Sequence, residues 1–265
     1  MIYAVLVLLG LCFGSFVNAL VWRLHEHKDW VKGRSICVHC KRELAAKDLV
    51  PVASWLWLRG KCRYCRKPIS AQYPLVETAT ALLFTGSYIV WPLVLTGSQV
   101  AVFALWLVLL VGLMALLVYD LRWMLLPDKL IIPLTGVAAV QALIIILGSS
   151  HTLRALVDVA LAVAIGGGLF YVLFQVSGGK WIGGGDVKLG GLLGIIAGTP
   201  ARSLLLIFLA AVLGSLASLP LLASKRLKPK SVIPFGPFLI LGVIIVVLFG
   251  GQILDWYEQL FSLGV

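Results

Sequence analysis

The chain has 265 residues, 61% of them hydrophobic and 12% charged, with a formal net charge of +11 and a mean hydropathy of +1.04. Soluble domains carry about 25% charged residues, so a water-soluble globular fold is excluded and most of the chain must meet lipid. The positive charge would suggest nucleic acid in a soluble protein, but here it gathers in loops and bears on membrane orientation; no nucleic-acid partner is expected.

The first apolar stretch covers about 2–22 and runs straight into Arg23. It has no basic region before it and no small-residue cleavage site, which predicts a retained membrane helix rather than a signal peptide. Cys12 within it reads as a packed small hydrophobe. Residues 23–72 are polar and hold two cysteine pairs, Cys37-x-x-Cys40 and Cys62-x-x-Cys65. Two such knuckles about twenty residues apart have the spacing of a tetrahedral zinc site. A unit this small cannot bury a sufficient core alone, so a metal staple makes physical sense there. Disulfides are the alternative; a cytoplasmic position, argued below, favours metal-binding thiolates.

Apolar stretches then recur at about 73–97, 100–119, 130–148, 154–176, 187–200, 202–223 and 234–254, making eight predicted spans in all. The stretch 187–200 is short and glycine-rich, as expected of a tilted or broken span. The predicted fold is therefore all-α and polytopic, with about eight transmembrane helices and a small cytoplasmic insert that binds zinc through four cysteines. Three regions follow: a first helix over 1–22, the insert over 23–72, and a membrane core over 73–265.

With eight spans, the loops 23–72, 120–129, 177–188 and 224–233 fall on one side of the membrane and hold 20 of the 22 Lys and Arg residues. The other side has only Arg154 and Arg202. This split places the insert in the cytoplasm and both termini on the outer face. Acidic lipid headgroups are the natural partner of the basic insert.

Carboxylates at membrane depth are costly and become functional candidates by default. Asp120 closes the run Leu116-Leu117-Val118-Tyr119, and Asp186 follows Gly183-Gly184-Gly185 at the start of the short sixth span. Both lie at cytoplasmic span ends, 66 residues apart in sequence. Two carboxyl groups meeting across a bundle suit shared-proton chemistry, one taking a proton from water while the other polarises a carbonyl. The simpler reading of each is a helix cap or an interfacial charge, and Asp128 after Pro127 suits a cap. Glu77 reads as an interfacial acid or a substrate contact. Glycine lets backbone approach backbone, so the Gly178-Gly179 and Gly183–Gly185 runs suit pairing with an unwound peptide, or a turn before a helix.

In order, these motifs resemble those of the type IV prepilin peptidases. The start Gly14-Ser15-Phe16-Val17-Asn18 with Arg23-Leu24 is similar to the family's opening helix. The cysteine pairs, Arg59-Gly60-Lys61, Ile69-Ser70 and Tyr73-Pro74-Leu75-Val76-Glu77 resemble its cytoplasmic domain and exit. Asp120 with Leu126-Pro127-Asp128 resembles the first catalytic motif, and Gly183-Gly184-Gly185-Asp186-Val187-Lys188-Leu189 the Gly-x-Gly-Asp second motif. Arg122 stands where many relatives carry an acid, so an acid there is not required.

The resemblance implies a bifunctional enzyme of the bacterial inner membrane with Asp120 and Asp186 as the catalytic pair and Asp128 as a structural residue. It implies cleavage of the basic leader of prepilins or pseudopilins just after a glycine, at the cytoplasmic face. It further implies methylation of the new N-terminus from S-adenosylmethionine, in service of type IV pili or type II secretion; no glycine fingerprint marks residues that bind this cofactor. The competing classes are a proton- or ion-coupled transporter using Asp120 and Asp186 as a relay, and a scaffold docking partners through the zinc unit.

Overall fold

The computed structural model describes residues 1–29, 33–223 and 233–262. Lys32 and the basic residues Lys225, Arg226, Lys228 and Lys230, which enter the charge split, lie outside the described residues, as does the C-terminal residue Val265.

Among the described residues the regular structure is helical, with two isolated bridges in the insert. The helices are α1 (Ile2–His25), α2 (Ala53–Trp57), α3 (Gln72–Ile89), α4 (Ser98–Trp123), α5 (Asp128–Leu147), α6 (Thr152–Ser177), α7 (Gly184–Ala197), α8 (Pro200–Ala223) and α9 (Gly236–Ser262). Apart from the five-residue α2, the eight helices occupy the eight expected stretches. Six of them, α1, α4, α5, α6, α8 and α9, are long and apolar enough to cross a membrane. The other two differ from a full span. Helix α3 stops at Ile89 rather than continuing to 97, and Gln72, Glu77, Thr78, Thr80 and Thr85 dilute its apolar character. Helix α7 has 14 residues, about 21 Å at 1.5 Å per residue, short of the roughly 30 Å hydrocarbon layer.

The chain gathers into two compact units, Met1–Ile89 with Leu110–Val118, and Val90–Leu109 with Tyr119–Val265. In the first, α1 packs along α3. Gly10 and Gly14 form a small-xxx-small stripe, and a β-carbon at Gly14 would lie 2.5 Å from Glu77 Cα; only glycine permits this backbone approach. Cys12 lies on the exposed side of α1, not packed as its apolar setting suggested, because the glycines on either side of it turn the helix face that meets α3 away from it.

The second unit uses the same device. A β-carbon at Gly190 would meet the Gly166 carbonyl oxygen at 2.5 Å, and one at Gly194 the Ala162 oxygen at 2.7 Å. Helix α7 is thus laid backbone to backbone on α6. Ser203 at the start of α8 donates to the Ala162 carbonyl at 3.0 Å, so the backbone there is held from two helices.

Candidate active site and metal centre

In the insert, the two cysteine knuckles fold as near copies. The Cys37 amide donates to Arg42 O at 2.9 Å and the Lys41 amide to Cys37 O at 2.9 Å; the Cys62 amide donates to Lys67 O at 2.9 Å and the Arg66 amide to Cys62 O at 3.0 Å. Each turn closes through a left-handed residue four positions after its first cysteine, Lys41 at φ 60° and Arg66 at φ 59°, and each is flanked by an antiparallel bridge, Ile36 with Glu43 and Lys61 with Pro68.

These turns bring the sulfurs of Cys37, Cys40, Cys62 and Cys65 within 4.8 Å of one another. Cys37 Sγ and Cys65 Sγ stand 3.9 Å apart, and all four are free thiols. A tetrahedral ion with sulfur at about 2.3 Å needs edges of about 3.8 Å, so the four-thiol donor set fits a divalent zinc ion.

The knuckles are braced by Asp48, whose side chain is 3% exposed. It accepts Arg63 Nε at 2.6 Å, the Tyr64 hydroxyl at 3.2 Å and the Ala45 amide at 3.3 Å. Burial pushes this carboxyl up, but the Arg63 hydrogen bond and charge, with the Ala45 amide and Tyr64, outweigh it and hold Asp48 below its ordinary value. The Arg42 guanidinium, from the first knuckle, lies 4.4 Å over the Tyr64 ring of the second.

Glu77 is not open to a substrate: it is buried in α3, and its Oε2 accepts the Val52 amide at 2.6 Å. Val52 takes a left-handed φ of 59° to present that amide. Beside it, Asn18 donates to the Gly14 and Tyr73 carbonyls and accepts from Gln72 Nε2. This polar cluster fixes the root of the insert onto α1 and α3.

The second unit carries the aspartates. Asp120 sits one turn before the end of α4 and is 4% exposed. Asp186 is the third residue of α7, half-buried, and its Oδ2 reaches back to accept the Gly183 amide at 3.3 Å while its own amide donates to Gly183 O at 3.1 Å. This is the carboxylate half of a capping box. Gly183 has φ −77°, so the glycine run opens a helix rather than a left-handed loop. A β-carbon at Gly185 would press Leu126 Cβ at 3.0 Å; the run lets α7 start against the segment that follows α4. Of the two glycine runs, the left-handed one is Gly178 and Gly179, φ 57° and 75°, which terminates α6.

Asp120 and Asp186 thereby come close enough for the Asp186 charge to bear on Asp120. Leu189, one turn after Asp186, packs beside the same point. Asp128 is not an N-cap; Pro127 is. Asp128 stands in the first turn of α5 and takes Lys188 Nζ at 2.7 Å on both oxygens, an exposed pair joining α5 to α7 two residues beyond Asp186.

Sequence reasoning missed Gly236. The backbone amide of this first residue of α9 hydrogen-bonds Asp120, and a β-carbon there would overlap the Asp120 carboxylate and lie 3.5 Å from Leu189 Cδ2. The signal was the string Pro234-Phe235-Gly236-Pro237 that opens the last apolar stretch, a helix start that by itself says nothing of an aspartate 116 residues earlier.

Residues 8–91 match the family of the bacterial peptidase A24 N-terminal domain, and residues 107–219 match the type IV leader peptidase family. The prepilin leader peptidase/N-methyltransferase of Aeromonas hydrophila is 32% identical over 284 aligned positions, covering 96% of this chain and 93% of that protein. The protein of the same name from Bacillus subtilis (strain 168) is 29% identical, covering 97% and 98%, and that from Pseudomonas aeruginosa is 32% identical, covering 96% and 92%. No solved structure matches the chain.

Proposed function

The chain belongs to the type IV leader peptidase family, and from that premise we propose that it is a membrane aspartic endopeptidase that removes the leader of type IV prepilins or pseudopilins and N-methylates the new N-terminus. Asp120 and Asp186 are its catalytic pair. The observation that carries this is their meeting: two carboxylates 66 residues apart in sequence, from the end of α4 and the start of α7, share one electrostatic environment.

In this reading one carboxylate takes a proton from a water as the water oxygen attacks the scissile carbonyl. The other carboxyl gives its proton to the carbonyl oxygen. Collapse of the tetrahedral intermediate breaks the carbon–nitrogen bond, and the leaving amine takes a proton from the pair. No covalent enzyme intermediate is needed. The relatives named above carry peptidase and methyltransferase names, which removes support from the ion-coupled transporter. The methyl donor would be S-adenosylmethionine, acting on the freed amine.

The zinc unit over 23–72 would hold one ion through Cys37, Cys40, Cys62 and Cys65 as a structural staple, between the first helix over 1–22 and the membrane core over 73–265. The lysine and arginine asymmetry supports an inner-membrane orientation with this unit cytoplasmic, against anionic lipid, and both termini outside. Cleavage then occurs at the cytoplasmic face, where a basic leader remains.

The test is incubation of the purified chain with a prepilin, with product masses read before and after adding the methyl donor. Asp120→Asn and Asp186→Asn should each lower cleavage by about 10³-fold or more, and the double variant should be no worse than either single one. Methylation of an already cleaved pilin should persist in all three. Cleavage by Asp186→Asn at near wild-type rate would remove the aspartic mechanism.

A further inference from the structure

We propose that Gly236 is a positioning residue of the peptidase centre: its backbone amide holds the Asp120 carboxylate, and its missing side chain leaves the space the carboxylate occupies. The inference rests on the reading of Asp120 and Asp186 as the catalytic pair.

A helix leaves its first N–H groups without intrahelical acceptors. At the start of α9 the Phe238 and Leu239 amides both donate to Phe235 O, at 3.0 and 3.2 Å. Pro237 has no N–H to place. The Gly236 amide is the one left over, and it is directed onto Asp120. A carboxylate is favoured there because the N-terminus is the positive end of the helix.

The space is equally specific. A β-carbon at position 236 would come within 3.3 Å of Asp120 Cγ and 3.5 Å of Leu189 Cδ2. Leu189 belongs to the helix that carries Asp186, so a side chain at 236 would crowd both the Asp120 carboxylate and its partner's helix. The φ of Gly236 is not among the left-handed ones; the requirement is for room, not for backbone freedom. An aspartate side chain has two rotatable bonds, and a catalytic group displaced by about 1 Å can lose about 10²-fold in rate. Helix α9 is thus a third wall of the centre, fixing the one aspartate that lies at the end of a helix rather than in a capping box.

Two variants of the full-length chain test this with a prepilin substrate. Gly236→Ala adds the β-carbon and keeps the amide; kcat should fall about 10²-fold with KM within twofold. Replacing Gly236 by glycolate during cell-free synthesis turns the N–H into an ester oxygen and adds no bulk. That N–H serves no bond within α9, so the helix should stand while kcat falls about tenfold or more with KM unchanged. Methylation of a pre-cleaved pilin should be unaffected by either. Gly242→Ala is the packing control on the same helix: its β-carbon would lie 3.0 Å from Leu206 O, and it should lower thermal stability without separating kcat from KM.

The proposal is overturned if both variants keep kcat within twofold of wild type. It is also overturned if both lose kcat, KM, methylation and stability together, as a packing defect would. Asp120→Asn read alongside keeps the two ideas apart. If it still cleaves, the catalytic pair itself is wrong; if it is inactive while both Gly236 variants are normal, only the positioning role fails.

Discussion

In the insert, each of the four clustered sulfurs lies within a few residues of the turn that aims it. Cys37 to Arg42 and Cys62 to Lys67 fold as the same short loop, with a left-handed residue at the same place in each. The aspartate site has no such local logic. It takes Asp120 from the end of α4, Asp186 from the start of α7 and Gly236 from the start of α9. What holds it are glycine contacts farther along α7, where Gly190 and Gly194 lie against α6. The contrast teaches that a short spacing can gather four cysteine sulfurs outright, whereas an aspartate pair assembled from helix ends depends on packing some distance from it.

The sharpest way to break the local unit is to remove one sulfur. Cys62→Ser should abolish zinc binding and leave residues 23–72 open to protease, since structural zinc supplies about 10–16 kcal/mol of folding energy in small units. Metal analysis of the freshly reduced wild-type chain should find about one zinc per chain; finding none would end the metal reading.

The non-local site should instead break from a distance. Gly190→Val places bulk where even a β-carbon would meet Gly166 O at 2.5 Å and Phe170 Cδ2 at 2.7 Å. Overpacking of this kind costs about 1–3 kcal/mol, and because α7 must shift, prepilin cleavage should fall about 10²-fold. Wild-type cleavage with unchanged thermal stability would mean that α6 does not set the position of Asp186.

A milder change separates the brace from the staple. Asp48→Asn keeps the size of the side chain but loses the charge that Arg63 holds at 2.6 Å. Hydrogen bonds to charged groups are worth about 1.5–3 kcal/mol, so chelator competition should show zinc held about 10- to 100-fold less tightly, with the stoichiometry unchanged. Equal affinity would show that the knuckles need no support from Asp48.

The smallest effect is expected at the exposed pair two residues beyond Asp186. Asp128 and Lys188 are both about half exposed, and exposed ion pairs contribute about 0–1 kcal/mol. Asp128→Asn should shift thermal stability by less than 1 kcal/mol and leave cleavage within about threefold, read in the same prepilin assay. A loss as deep as that of Asp186→Asn would give Asp128 a part in the chemistry.

Much of the fold and of both sites is legible in the amino-acid order. The helix-length apolar stretches, the four cysteines and both aspartate motifs can be read because each is written in a short window: hydropathy over some twenty residues, spacing over four, and a glycine run ending in Asp186. The readings that fail concern neighbours. Cys12 is expected inside because its stretch is uniformly apolar, yet in a lipid-facing helix the buried face is set by Gly10 and Gly14 rather than by hydrophobicity. Glu77 looks free to meet a substrate, but the Val52 amide from the insert occupies it. Asp128 looks like a cap, but Lys188 on another helix takes both its oxygens.

The sequence by itself determined that this is an all-helical membrane protein with a four-cysteine insert and two aspartate motifs of the type IV leader peptidase kind, because hydropathy, turn chemistry and ligand spacing are local properties. Only the tertiary structure decided that the Asp186 charge bears on Asp120, that α7 is held backbone to backbone on α6, and that the amide of Gly236 meets Asp120. Those facts depend on which helix ends lie side by side. In lipid no apolar stripe specifies that choice, because every face of a span is equally oily; the small residues that let backbones touch do so instead.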